Sequence, residues 1–361
     1  MKLSNNHKAF IALVRAGLWN QSVELNQFGS LDYDEILQLA EEQSVVGLAT
    51  AGLEQVQDVK VPQAVLLQFI GSTLQVEQRN KELNVFIPKL FGKLQSEGVK
   101  SVMVKGQGVA QCYEKPLWRA SGDVDLLLDA DNYEKAKKML MTMAEEVESE
   151  NLQTKHQAIK ILGVDVELHG KMPFSLSKTA DEVVNDVIVK ALSEHESFEL
   201  NESIRIPKAD EHVFLVFTHF LLHFFIEGVG LRQICDWCRM LWVHRGSLNH
   251  GLLKSRIKKA GLVTEWQAFA ALAVNYLGMP MSVMPLFNAN LNKKAEKVLK
   301  RVLKSGNFGH NNDLSYRSIY TGITYKVIAM WRRFTDFASL VPVFPVDAPK
   351  FFMGYLFGKV R

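Results

Sequence analysis

Asp123 and Asp125 flank Val124 at the head of a short apolar run that ends at Leu128. On a strand, residues i and i+2 project from one face, so both carboxylates converge on one site. Two carboxylates a few ångströms apart repel each other unless a cation neutralises them. A hard, oxygen-seeking ion such as Mg²⁺ (or Mn²⁺) suits the pair, particularly when substrate phosphates complete its shell. A second run, Val164 to His169, repeats the alternation. Asp165, Glu167 and His169 share one face, and Val164, Val166 and Leu168 share the other. If the two strands are neighbours, a third carboxylate joins the first two. Three acids on adjacent strands form a metal platform for in-line phosphoryl or nucleotidyl transfer. An EF-hand is excluded, because Leu126 to Leu128 stand where oxygen ligands and a glycine are needed.

The segment upstream fits the same chemistry. Lys105-Gly106-Gln107-Gly108 follows the β-branched run Lys100 to Val104 and precedes a helix-like stretch. Glycines between a strand and a helix let backbone N–H groups approach a phosphate, and a helix N-terminus favours anions. Lys105 and Arg119 are cations placed to bind a phosphate chain.

These residues need a scaffold, and the chain supplies three blocks: helices over 1–95, a mixed α+β core over 96–207, and helices over 208–361. In the first block Pro88 is expected to end or kink a helix. In the core, Asp131 with Glu134 reads as a capping box for the helix that follows. Further strands are expected at 154–161 and 164–169, with an edge strand at 203–207. Strands alternating with helices and then following one another point to an α+β domain with a mixed sheet. Asp210 opens a long apolar helix that Gly228 and Gly230 interrupt.

Composition sets the outer bounds. The chain has 361 residues, 47 % hydrophobic and 22 % charged, which excludes extensive disorder and collagen-like repeats. Three cysteines cannot build a disulfide framework, so a reducing, cytoplasmic setting is expected. The most apolar run, 212–225, carries three histidines and is too short to span a bilayer. Residues 251–361 hold 17 Lys+Arg against 5 Asp+Glu, whereas the rest is net acidic. That asymmetry leaves an anionic partner open for the basic face of Lys293, Lys294, Lys297, Lys300, Arg301 and Lys304, against a simple solvated surface. The aromatic, basic C-terminal end is either an arm wrapped on the body or a contact surface, a membrane included.

Three other groupings have duller readings beside the functional ones. His219 and His223 have the spacing of a zinc pair, but core histidines are the commoner case. Cys235-x-x-Cys238 lies in a helical stretch without a second pair, which favours packing over redox or zinc chemistry. Arg232 and Asp236 are an i, i+4 ion pair on the dull reading, and Arg232 a nucleotide contact on the functional one.

The motifs together resemble the nucleotidyltransferase superfamily with the DNA polymerase β-like fold. They are most similar to an uncharacterised bacterial branch whose signature reads here as Lys105-Gly106, Tyr113, Pro116, Arg119, Asp123-Val124-Asp125 and Glu167-Leu168-His169. His219, His223, Leu231-Arg232 and Asp236 stand in matching places in the helical part. The resemblance implies metal-dependent transfer of a nucleoside monophosphate from a nucleoside triphosphate, ATP first among them, to an acceptor: a small molecule, an RNA or a protein. It implies that Asp123 and Asp125 hold Mg²⁺ or Mn²⁺ and that Glu167 activates the acceptor, with Asp165 and His169 as further candidates. Lys105, Gly106, Gln107, Gly108, Arg119 and Arg232 are the implied nucleotide contacts. One departure stands out: the superfamily has Gly-Ser or Gly-Gly at the turn, and this chain has Gly106-Gln107 with a longer loop to the acids. A scaffold of the same fold that binds without catalysis is the alternative.

Overall fold

The structure is a computed structural model that describes residues 3–152, 154–171, 177–198, 201–309, 311 and 322–356, with backbone alone at 323, 325 and 354–356. Four helices come first: α1 (Asn5–Trp19), α2 (Tyr33–Glu42), α3 (Val46–Leu53) and α4 (Gln63–Ser96). Asp32 caps α2 by accepting from the Asp34 and Glu35 amides. A Cβ at Gly17 or Gly52 would lie 2.0 Å from Leu48 O or 2.1 Å from Leu13 O, so glycine is what lets α1 and α3 touch backbone to backbone. Helix α4 runs straight through Pro88 for 34 residues rather than ending there. Its second half buries Leu83, Ile87, Leu90, Phe91 and Leu94 in the core of the sheet. That burial outweighs the roughly 3 kcal/mol that an interior proline costs a helix.

The sheet follows. Strands β1 (Val102–Val104), β2 (Asp123–Leu127), β3 (Glu146–Val147), β4 (His156–Ile161) and β5 (Val164–His169) lie in the order β1-β2-β5-β4-β3. Only β2 and β5 pair in parallel; the rest are antiparallel, so the sheet is mixed and the class is α+β. The hairpin β4–β5 turns on Leu162 and Gly163, both at positive φ, as a tight two-residue turn needs. Helix α5 (Gly106–Ala110) sits between β1 and β2, and α6 (Ala130–Met141) follows β2. The α6 cap is Asp129, not Asp131: Asp129 has extended backbone and accepts from the Asn132 amide, which leaves Asp131 in the first turn. After α7 (Lys178–Ser193), β6 (His195–Phe198) and β7 (Asn201–Pro207) form a separate two-stranded hairpin. The expected edge strand therefore exists, but its ladder is to β6 and not to the main sheet.

The remaining helices are α8 (Ala209–Ile226), α9 (Leu231–Val243), α10 (His250–Lys259), α11 (Val263–Asn275), α12 (Asn292–Ser305), α13 (Gly322–Leu340) and α14 (Asp347–Leu356). Among the described helices α8 alone has the length and hydropathy of a membrane span, and 67 % of that window is buried. Phe217 and Phe220 of α8 pack against Trp237 and Phe269, and Phe217 also meets Trp266. The alternation on β2 divides two cores: Val124 and Leu126 join α4 and α6, while Leu127 joins the cluster built on α8 and α9. The Asp125 side of the sheet thus faces the helices of the C-terminal block.

The C-terminal end wraps on the body, where Phe344 and Phe351 pack against Phe225. Much of the basic face of α12 is engaged within the chain. Lys294 lies over the Phe344 ring, Lys297 donates to Pro342 O, Lys300 pairs with Glu296, and Arg301 reaches Asp336 and Ser339. Two of these contacts, Lys300–Glu296 and Arg301–Asp336, are ion pairs.

Candidate active site

The parallel register sets Asp123 opposite Asp165 and Asp125 opposite Glu167. Ligand atoms of Asp123, Asp125 and Glu167 all lie within 4.8 Å of one another. Asp165 lies on the same face but outside this group: its side chain is 56 % exposed and its nearest cation is Lys160, 3.9 Å away. His169 is buried and 2.7 Å from Asp125 Oδ1 through Nε2. His156, a residue the sequence reading passed over, is 3.3 Å from Glu167 Oε2. Its signal was there to be counted, because a two-residue turn at Leu162-Gly163 pairs His156 with His169.

The charges of this cluster balance one another. Lys105 Nζ lies 2.6 Å from Asp125 Oδ1. Burial opposes the Lys105 charge, yet Asp125, Glu167 and Asp123 hold its pKa above the usual lysine value. Burial, then the Asp125 charge, pushes Asp123 up. Burial would also raise Glu167, but the hydrogen bonds from His156 and His169 hold it well below the carboxylate range. Burial lowers His169, whereas its contacts with Asp125 and Glu167 prevail and raise it.

Backbone strain places the lysine. Lys105 has φ 58° and ψ −147°, a conformation disfavoured for any residue with a Cβ. Its amide donates to His212 Nε2 at 3.3 Å. Burial pushes His212 down to about 3, so its ring is a neutral acceptor. On its far side Lys105 Nζ meets His219 Nε2 at 3.0 Å, and His219 meets His223 Nε2 at 3.1 Å. Burial foremost, then Lys105, pushes His219 well below the usual imidazole range. The two histidines are thus tied into a hydrogen-bonded chain that ends on Glu227, 2.6 Å from His223 Nδ1.

A small cleft opens beside Asp123 and Asp125, lined by Lys105, Gly106, Asp123, Asp125, Arg232 and Phe308 among others, with Glu167 outside that lining. Of the Gly-containing turn, Gln107 and Gly108 are not in that lining. The Gln107 amide donates to Asn80 Oδ1, and a Cβ on Gly108 would meet Ile206, His212 and Met103. Arg119 borders the cleft but is committed: Nε and Nη2 bind both Asp236 oxygens at 3.0 and 2.7 Å, and Tyr113 donates to the same carboxylate. The expected Arg232–Asp236 pair is therefore replaced by Arg119–Asp236. Arg232 donates to Ala120 O at 2.7 Å, and its buried Nε has no hydrogen-bond partner. Burial, then Arg119, lowers the Arg232 pKa, the signature of a cation short of an anion. Gln233 Oε1, also beside the cleft, is buried and unpartnered as well. Cys235 and Cys238 are buried, and burial raises both thiols, which fits packing rather than redox chemistry. Phe308 could not be foreseen, since it reaches the cleft from about 180 residues beyond the acids and lies in an ordinary polar stretch.

The mixed sheet thus presents three convergent carboxylates, two of which line a cleft that Lys105, Arg119 and Arg232 also border. Residues 29–278 match the family model described as uncharacterised nucleotidyltransferase, and the chain belongs to that family. Membership supports nucleotidyl transfer as the general activity. No curated protein and no solved structure matches the chain.

Proposed function

We propose that the protein transfers a nucleoside monophosphate from a nucleoside triphosphate to an acceptor hydroxyl with the help of a divalent cation. The observation that carries this reading is the juxtaposition of Asp123, Asp125 and Glu167 with a buried guanidinium, Arg232, that has no carboxylate of its own among the described residues. The donor set fits a hard dication: three carboxylate oxygens converge, and only Lys105 and the histidines neutralise them. Asp123, Asp125 and Glu167 would hold the ion, which supplies charge neutralisation at the transferring phosphate. Arg232 and Lys105 bind the triphosphate, and the guanidinium suits paired phosphate oxygens. The acceptor oxygen bonds to the α-phosphorus, the α–β bridging bond breaks, and pyrophosphate leaves with the electron pair. The hydroxyl proton passes to water. Glu167, the third carboxylate, would orient the acceptor hydroxyl for attack. The acceptor's class, small molecule, RNA or protein, is set outside this core.

One observation favours a second reading. Lys105 Nζ lies 2.6 Å from Asp125 Oδ1, so a side chain of the protein itself neutralises one of the acids, which also suits a binding scaffold. Thermal shifts with ATP, GTP, CTP and UTP, each with and without Mg²⁺ or Mn²⁺, separate the two. A metal-dependent shift abolished by Asp123→Asn/Asp125→Asn supports transfer and names the nucleotide. A nucleotide shift that ignores both metal and the double substitution supports the scaffold.

A further inference from the structure

We propose that His156, Glu167 and His169 form a second metal position beside Asp123 and Asp125, selective for a first-row transition-metal dication over Mg²⁺. The inference rests on the transfer reading only in sharing Glu167 with it. Both imidazoles aim Nε2 at one atom: His156 lies 3.3 Å and His169 3.4 Å from Glu167 Oε2. Ordinary N–H···O bonds run about 2.7–3.2 Å, so these two hydrogen bonds are long and weak ones. They match another geometry. An ion about 2.1 Å from each of two donors at a tetrahedral angle separates those donors by about 3.4 Å. All three ligand atoms lie within 4.8 Å of one another, and His169 Nε2 now hydrogen-bonds Asp125 Oδ1 at 2.7 Å.

Access and positioning agree. The rings of His156 and His169 sit side by side across the β4–β5 ladder, with centroids 4.9 Å apart. The His156 side chain is 36 % exposed, which leaves the ion a path from solvent, and the His169 side chain is buried, which fixes its direction. Two imidazole nitrogens with carboxylate oxygen suit Mn²⁺, Fe²⁺, Co²⁺ or Zn²⁺, whereas Mg²⁺ takes oxygen alone. The ion displaces the hydrogen that His169 now shares with Asp125, which leaves as a proton.

The test uses the full chain, stripped of metal and then loaded with Mn²⁺, without nucleotide. Pulsed electron paramagnetic resonance should show ¹⁴N coupling from two imidazoles, reduced to one in His156→Ala. The same substitution should weaken Mn²⁺ binding by about 10- to 100-fold while leaving Mg²⁺ binding unchanged. Circular dichroism confirms that His156→Ala is folded, as its half-exposed position predicts. Mn²⁺ bound through oxygen alone, equal Mn²⁺ affinity in wild type and His156→Ala, or no Mn²⁺ binding at all overturns the inference. The outcomes separate cleanly from those for transfer. Nitrogen coupling with no nucleotide binding sinks the transfer reading and keeps the site, and metal-dependent transfer with an all-oxygen Mn²⁺ does the reverse.

Discussion

Replacing Lys105 with Met tests whether a lysine stands in for a metal in this site. The ammonium lies 2.6 Å from Asp125 Oδ1, and its side chain is only 17 % exposed. At that separation the attraction is about 6 kcal/mol for an effective dielectric near 20. Desolvation of the lysine offsets part of it, and removing one partner of a buried pair costs about 3–5 kcal/mol, since the other is left uncompensated. Asp123 and Glu167 sit in the same cluster, so the variant leaves three acids without the lysine that faces them. The raised Lys105 pKa means that this contribution is complete below the ordinary lysine value and fades only as pH rises through the folded one. An assay at pH 7.5 therefore sees all of it. Lys105→Met should lower Tm in EDTA by roughly 6–10 °C, taking about 2 °C per kcal/mol for a chain of this size. Mg²⁺ or Mn²⁺ should restore most of the loss and stabilise the variant more than the wild type, because a dication takes over the role of the ammonium. Equal melting of the two proteins in EDTA would refute the electrostatic account of the cluster. Equal stabilisation by metal would refute the substitution of ion for lysine.

Two further outcomes follow from buried charge. Burial, then the Asp347 carboxyl, pushes the Glu265 acid up to about 9. Between its unfolded value near 4.3 and that folded value the native state binds the extra proton, so stability falls as pH rises, by about 1.4 kcal/mol per unit; urea denaturation at pH 6 and 8 should show this slope in the wild type and not in Glu265→Gln, and parallel slopes would refute it. Asp236→Ala removes the acceptor of Arg119 and Tyr113 and should cost about 3–5 kcal/mol in the same assay, against about 1 kcal/mol for Tyr113→Phe; similar losses for both would show that Asp236 is not the keystone of the pair.

What the sequence made legible was local. Alternation on two strands placed Asp123, Asp125, Glu167 and His169 on one face, and the β2–β5 register then brought them together. The errors arose where tertiary packing overrides local signals. Of the two outcomes expected at Pro88, an end or a kink, the helix does not end there, because five neighbouring apolar residues are buried in the sheet core. Arg232 looked paired with Asp236 by helical spacing, but Arg119 reaches that carboxylate with two nitrogens from the loop before β2. Helical spacing shows which partners are possible, and bidentate geometry decides among them. Gln107 looked like a phosphate contact from its place in the turn, whereas Asn80, on a distant helix, claims its amide.

The cleft has two walls of different origin. The sheet supplies the anions, and α9 supplies Arg232 and Gln233. Phe308 joins that second wall from beyond residue 278, where the family match ends. Its backbone is left-handed, φ 48° and ψ 37°, which costs a residue of this bulk about 1–3 kcal/mol. Contacts hold it there: Asn307 accepts from Gln233 Nε2 at 2.6 Å, and the Phe308 ring meets His223 at 4.8 Å and the Arg232 guanidinium at 5.9 Å. The strained aromatic thus leans on the same arginine that lacks an anion.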